Sequence, residues 1–398
     1  MISYKLCTFG GVGQNSTKYA PIAAGNTNDA WDITEANFEQ IVGSAGTFKN
    51  LYIELAAAPG AGQSNIYTLR KNNADTALTV TISDTNTTGS DTSNTVAVAA
   101  GDRVAWKCVA SVTASTATSP RLSVDYTGDT TKESLLLGRG NVPAADAFFP
   151  IEGWTDFDAA TFTPAKQLIA TAGTVKKLYI KLDTAPGATE SNIFTVYKNG
   201  SATALTVTIS NTDTTGNDTS NSFTVAAGDK LALFKDESAT AANTAFSWGV
   251  VFVADTDNQF PIVGGTSAEP SKVATNYLCI NTNDDSVFNA TEAASLNCGR
   301  ASWILDMYVE GTTAPGAGKS YTYTLRNNTA NTELSVVISE AGTTGNDTVA
   351  SGVTIANQDN LSLACVPAGT PTQPAGISWG FTVTMVNPVT FIPSIIIC

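Results

Sequence analysis

Leu51-Tyr52-Ile53-Glu54-Leu55-Ala56-Ala57-Ala58-Pro59-Gly60-Ala61 comes back twice further along the chain. Residues 178–188 read Leu-Tyr-Ile-Lys-Leu-Asp-Thr-Ala-Pro-Gly-Ala, and residues 307–317 read Met-Tyr-Val-Glu-Gly-Thr-Thr-Ala-Pro-Gly-Ala. Pro59, Pro186 and Pro315 are thus 127 and 129 residues apart. Over 51–109 and 178–236, about 36 of 59 positions are identical, which marks a duplication. The period decides what was duplicated. Solenoid and propeller units run about 20–50 residues and cannot fold alone. A period near 127 residues can bury a core of its own. The 398 residues therefore divide into units over 1–134, 135–258 and 259–398.

Within each unit the pattern is that of strands. In Leu78-Thr79-Val80-Thr81-Ile82, apolar and hydroxyl side chains alternate, as they do in a strand with one buried face. Leu205-Thr206-Val207-Thr208-Ile209 repeats it. Val96-Ala97-Val98 and Val104-Ala105-Trp106 flank a tight turn at Gly101-Asp102, and Asp229 and Asp359 hold the same place in the other units. Thr87-Thr88-Gly89 and the Ala-Pro-Gly triplets mark further reversals. Helical periodicity is limited to a turn or two over 32–41. Many short strands with regular turn signals predict an all-β chain of three tandem antiparallel β-sandwiches, jelly-roll-like at this unit size. Tyr19-Ala20-Pro21-Ile22, Phe149-Pro150-Ile151 and Phe260-Pro261-Ile262 share a theme near the three starts. The last strands read Phe246-Ser-Trp248-Gly249 and Ile377-Ser-Trp379-Gly380, with Arg121-Leu122-Ser123-Val124 as their counterpart in the first unit.

Composition narrows function mainly by exclusion. Lys+Arg 21 against Asp+Glu 35 gives a net charge of −14, which disfavours nucleic acid or an anionic membrane as partner. No stretch reaches the roughly 18 apolar residues of a membrane helix. The chain has no histidine, and so lacks the commonest general base and metal ligand. The first 13 residues do not read as a secretion signal, so the six cysteines (7, 108, 279, 298, 365 and 398) read as free thiols; a Cys279–Cys298 bridge is the alternative.

Each chemical candidate also has a plainer reading. Asp84-Thr-Asn86-Thr-Thr88 has alternating oxygens like a calcium loop, but Thr95 stands where the bidentate Glu belongs. Asp91 and Asp102 recur as the one repeated acidic pair, and turn roles account for both. Trp106, Trp248, Trp303 and Trp379 could stack on a sugar, although core positions suit them better. Arg70 and Arg326 are equivalent, but Tyr197 replaces them in the middle unit, which weakens a shared anion site. No catalytic residue, cofactor or metal is assigned, and the expectation is a protein that is not an enzyme.

Ser64-Asn-Ile-Tyr-Thr-Leu-Arg-Lys-Asn72, Thr-Thr-Gly-x-Asp-Thr and Val-Ala-Ala-Gly-Asp together resemble β-rich structural proteins of tailed bacteriophages. The Ala-Gly-Asp turn is also similar to trimeric jelly rolls of the complement and tumour-necrosis type. The phage resemblance implies a virion component assembled in the host cytoplasm, a capsid decoration, cement or head-fibre protein. Its partners would be further copies of itself or the major capsid protein. The rival expectation is a receptor- or carbohydrate-binding fibre or spike with a surface glycan as partner. Thr390-Phe391-Ile392-Pro393 echoes the Phe-Pro-Ile theme with no fourth unit behind it. Phe391, Ile392, Pro393, Ile395, Ile396 and Ile397 thus form an apolar tail expected to add a strand to a neighbouring subunit or capsid surface, the alternative being that it closes a sheet at the other end of this chain.

Overall fold

The computed structural model describes residues 2–388 apart from 26–30, 112–113, 115–117, 129, 131, 142–145, 156–158, 239 and 283–287, and apart from the side chains of 154 and 155. The first unit runs β1 (Ile2–Thr8), β2 (Ser16–Ala20), β3 (Ala24–Gly25), β4 (Gln40–Ile41) and β5 (Gly46–Leu55). It continues with β6 (Gly60–Lys71), β7 (Ala74–Asp84), β8 (Thr88–Val98), β9 (Arg103–Ala110) and β10 (Pro120–Gly128). The second unit holds β11 (Glu133–Gly140), β12 (Ala147–Pro150), β13 (Gly153–Thr155), β14 (Gln167–Leu168) and β15 (Gly173–Leu182). Then come β16 (Gly187–Lys198), β17 (Ser201–Asn211), β18 (Thr215–Val225), β19 (Lys230–Glu237) and β20 (Phe246–Ala254). The third has β21 (Gln259–Thr266), β22 (Asn276–Leu278), β23 (Asn297–Cys298), β24 (Ser302–Gly311) and β25 (Gly316–Asn327). It closes with β26 (Ala330–Glu340), β27 (Thr344–Ile355), β28 (Asn360–Ala368) and β29 (Ile377–Thr384).

Each unit is a two-sheet sandwich with one strand order. An inner sheet β3-β1-β10-β5-β8 faces an outer sheet β2-β9-β6-β7, with β4 also on β9. The second unit repeats this as β13-β11-β20-β15-β18 and β12-β19-β16-β17, the third as β21-β29-β24-β27 and β22-β28-β25-β26. This is the order of a jelly roll, in which successive strands cross between two antiparallel sheets. Alternation sets the faces: Leu78, Val80 and Ile82 are buried, while Thr79 and Thr81 are exposed. The last strand always pairs with the first, as in Ile2↔Thr127, Glu133↔Val253 and Gln259↔Thr384. The chain therefore leaves each unit beside the point where it came in, which is why the connections can be so short.

Two sequence expectations need correcting. Phe260-Pro261-Ile262 lies in β21, the counterpart of β1, and is not equivalent to Phe149-Pro150-Ile151 in β12 and just beyond it. The true counterpart of Ile151 is Ile280: Trp248 Nε1 donates to the Ile151 carbonyl at 2.8 Å, and Trp379 Nε1 to the Ile280 carbonyl at 2.7 Å. Asp91 and Asp218 sit inside β8 and β18, each at a bulge in the pairing with the neighbouring strand, and not in turns. Over 32–41, one 3-10 turn forms at Glu35–Asn37.

Candidate functional site

The inner-sheet strands β10, β20 and β29 are buried along almost their whole length, on both faces. One face covers the unit's own core. The other is covered by the next unit, and the three units close into a ring. β4 of the first unit packs on β11 and β20 of the second, β14 of the second on β21 and β29 of the third, and β23 of the third on β1 and β10 of the first. Apolar side chains cross every junction. Leu135 and Leu137 join the core of the first unit, Val263 that of the second, and Tyr4 and Leu6 that of the third. A Cβ on Gly249 would lie 2.2 Å from the Ile41 carbonyl, and one on Gly380 would lie 2.2 Å from the Leu168 carbonyl. Glycine is required at both places because backbone meets backbone. At the third junction Ser123 takes the place of the glycine, and its Oγ donates to Cys298 Sγ at 3.7 Å.

The polar contacts differ from junction to junction. Between the first and second units, the Ser44 hydroxyl donates to Glu133 at 2.6 Å, and Lys176 and Lys177 hold the same carboxylate at 2.9 and 3.0 Å. Burial alone would raise the Glu133 pKa, but these three donors overrule it and bring it down to about 2. Lys5 also pairs with Glu152 across this junction. Between the second and third units, Glu310 receives Lys166 and Lys230, the latter at 2.8 Å. Between the third and first, Arg300 makes a two-pronged pair with Asp125 at 2.6 and 2.7 Å and lies over the Tyr52 ring. Arg121 is held by Glu54 and by Asn360 there. Matching positions on β5, β15 and β24 carry Glu54, Lys181 and Glu310, so the middle unit differs in charge from the other two at this place.

Most residues singled out from the sequence are engaged within the fold. Asp91 accepts four N–H groups, from Thr79, Ser93 and twice from Asn94, at 2.9–3.1 Å. Asp102 caps its turn through the Ala99 N–H and also takes the Asn72 side-chain amide. The two acids thus serve separate backbone features. Trp106, Trp248 and Trp379 are fully buried, which removes them as sugar platforms, and Trp303 is half-buried. Cys298 is a free thiol, so a bridge to Cys279 is not made. Burial pushes the thiols of Cys298 and Cys365 up to about 12, and those of Cys7 and Cys108 up as well.

Arg70 grips Glu35 with two hydrogen bonds over the Tyr19 ring, and Arg326 does the same with Glu292 over Tyr277. The middle unit replaces this whole set with rings. Phe148 packs against Phe162, Tyr197 and Phe234, with centroids 4.5–5.9 Å apart. The tail residues Phe391, Ile392, Pro393, Ile395, Ile396 and Ile397 lie outside the described residues.

Sequence reasoning missed the junction residues Lys5, Glu133, Glu152, Asp125 and Arg300. Their only trace is one or two charged residues in or beside a strand of mainly uncharged ones. The repeated Trp-Gly of the last strands was the clearer signal, since a glycine amid large apolar residues suggests a close backbone approach. No helix among the described residues is long and apolar enough to cross a membrane, and none of their His, Cys, Asp or Glu side chains cluster as a metal site. No protein-family model matches this chain, and no curated protein matches it in sequence.

Proposed function

We propose that this chain is a non-enzymatic structural protein of a bacteriophage virion, a capsid decoration, cement or head-fibre protein acting in the assembled particle. The observation that carries the reading is the closed ring, in which three covalently joined sandwiches hold one another through apolar seams and pairs such as Arg300–Asp125. Seams of this kind give each unit a fixed place beside its neighbours. That suits a role of binding and bracing, with the major capsid protein or further copies of the chain as partner. The phage assignment itself rests on the turn and strand signatures. The test is proteomics of purified particles from the virus whose genome encodes the chain, followed by a density map. Stoichiometric copies on the shell support the reading; absence from intact particles overturns it.

A second reading, a receptor- or glycan-binding fibre, draws on one feature. The half-buried rings of Phe148, Phe162, Tyr197 and Phe234 are found only in the middle unit. A glycan titration that responds to Phe234→Ala would favour that reading over shell decoration.

A further inference from the structure

Three residues drawn from three different units line one small hollow beside β1 and β21. Lys5 of the first unit, Glu152 of the second and Asn281 of the third line one void of about 10 Å³, with apolar walls from Tyr4 and Pro261. The repeat makes this convergence stand out. The counterparts of Lys5 on β11 and β21 are Leu136 and Ile262, opposite Val250 and Phe381 as Lys5 is opposite Val124. An amine thus occupies a position that is otherwise aliphatic. Lys5 is 5% exposed and Glu152 8%. A plain buried ion pair gains little stability over apolar packing.

We propose that Lys5 and Asn281 become joined by an autocatalytic isopeptide bond, with Glu152 as the proton shuttle, closing the ring covalently between its first and third units. Glu152 takes the ammonium proton of Lys5, and burial raises the pKa of this carboxyl, which suits it to hold the proton. The Nζ lone pair then attacks Cγ of Asn281, and the carbonyl electrons move to Oδ1, which Glu152 protonates. The intermediate collapses: the Cγ–Nδ2 bond breaks and Nδ2 leaves as ammonia, taking a proton from Nζ. The hydroxyl proton returns through Glu152. One amine and one carboxamide give one secondary amide and ammonia, with no oxidant, reductant or metal. The surroundings of Asn281 fit this path. Its Oδ1 accepts from the buried Asn297 Nδ2 at 2.9 Å, a donor placed where negative charge develops. Its Nδ2 donates to the Leu6 carbonyl at 2.8 Å, which ties the carboxamide to the residue next to Lys5.

The experiment is intact mass measurement of the full chain under denaturing conditions, with peptide mapping. The wild type is expected to be lighter than its sequence by one ammonia and to yield a branched peptide containing both Lys5 and Asn281. Lys5→Arg keeps a cation beside Glu152 but cannot form the bond, so it should show full mass; Glu152→Gln should slow or abolish the loss. A succinimide at an asparagine also sheds ammonia but leaves the two residues in separate peptides. That result, or full mass in wild-type protein after prolonged incubation, overturns the proposal whether or not the Glu152 variant folds.

Discussion

Glu133 has its carboxylate sunk in the junction between the first two units, where desolvation penalises the charge and three donors reward it. The donors win, so its folded pKa of about 2 lies below the ordinary value of 4.5. A carboxylate with a depressed folded pKa adds stability above its unfolded pKa, and that contribution is lost as pH falls through the folded value. The window is therefore about pH 4.5 down to about 2. We expect wild-type protein to lose stability through this range and Glu133→Gln to show a flatter acid limb, measured by denaturant midpoint at stepped pH. Equal acid slopes would mean that Ser44, Lys176 and Lys177 do not hold the carboxylate in solution.

At the scale of the element, one carboxylate shapes the bulge on β8, β18 and β27, but not equally. Asp91 and Asp218 each accept four N–H groups and are nearly buried. Asp347 accepts only those of Ser335 and Thr348, because β27 is twelve residues long against eleven and takes a different path past Gly352. Leaving a buried donor unmet costs about 1–3 kcal/mol. Asp91→Ala and Asp218→Ala should each cost about 2–3 kcal/mol, and Asp347→Ala about 1 kcal/mol. Chemical denaturation of the three variants checks the order; an equal loss in all three would remove the bulge from the account.

The whole molecule behaves as one body if the junctions are as tight as the cores. Tyr4, Leu6, Leu135, Leu137 and Val263 belong to the neighbouring unit's core, so separating the units exposes apolar surface at every seam. Arg300 and Asp125 are a buried pair at the seam where the last unit meets the first. Removing one partner of such a pair strands the other and costs about 3–5 kcal/mol. Arg300→Ala should lower the melting temperature of the entire chain in a single calorimetric transition. Two transitions, with only the third unit affected, would instead describe three independent beads.

Much of this was legible in the residues. The 127 and 129 steps determined three units because long segments return nearly unchanged, and the Leu-Thr-Val-Thr-Ile alternation determined strands with one wet face because it is local. The same locality misled at Phe260-Pro261-Ile262, where a short motif fell on a different strand of the sandwich. The ring itself was written only as faint marks, the glycines at 249 and 380 and isolated charges such as Lys5 and Arg300. A strand's own periodicity reports which face is buried, but not whether its cover is its own sheet or a neighbour. That was decided by tertiary structure: pairing the last strand beside the first leaves the inner sheet with two faces to cover. One unit can cover only one of them.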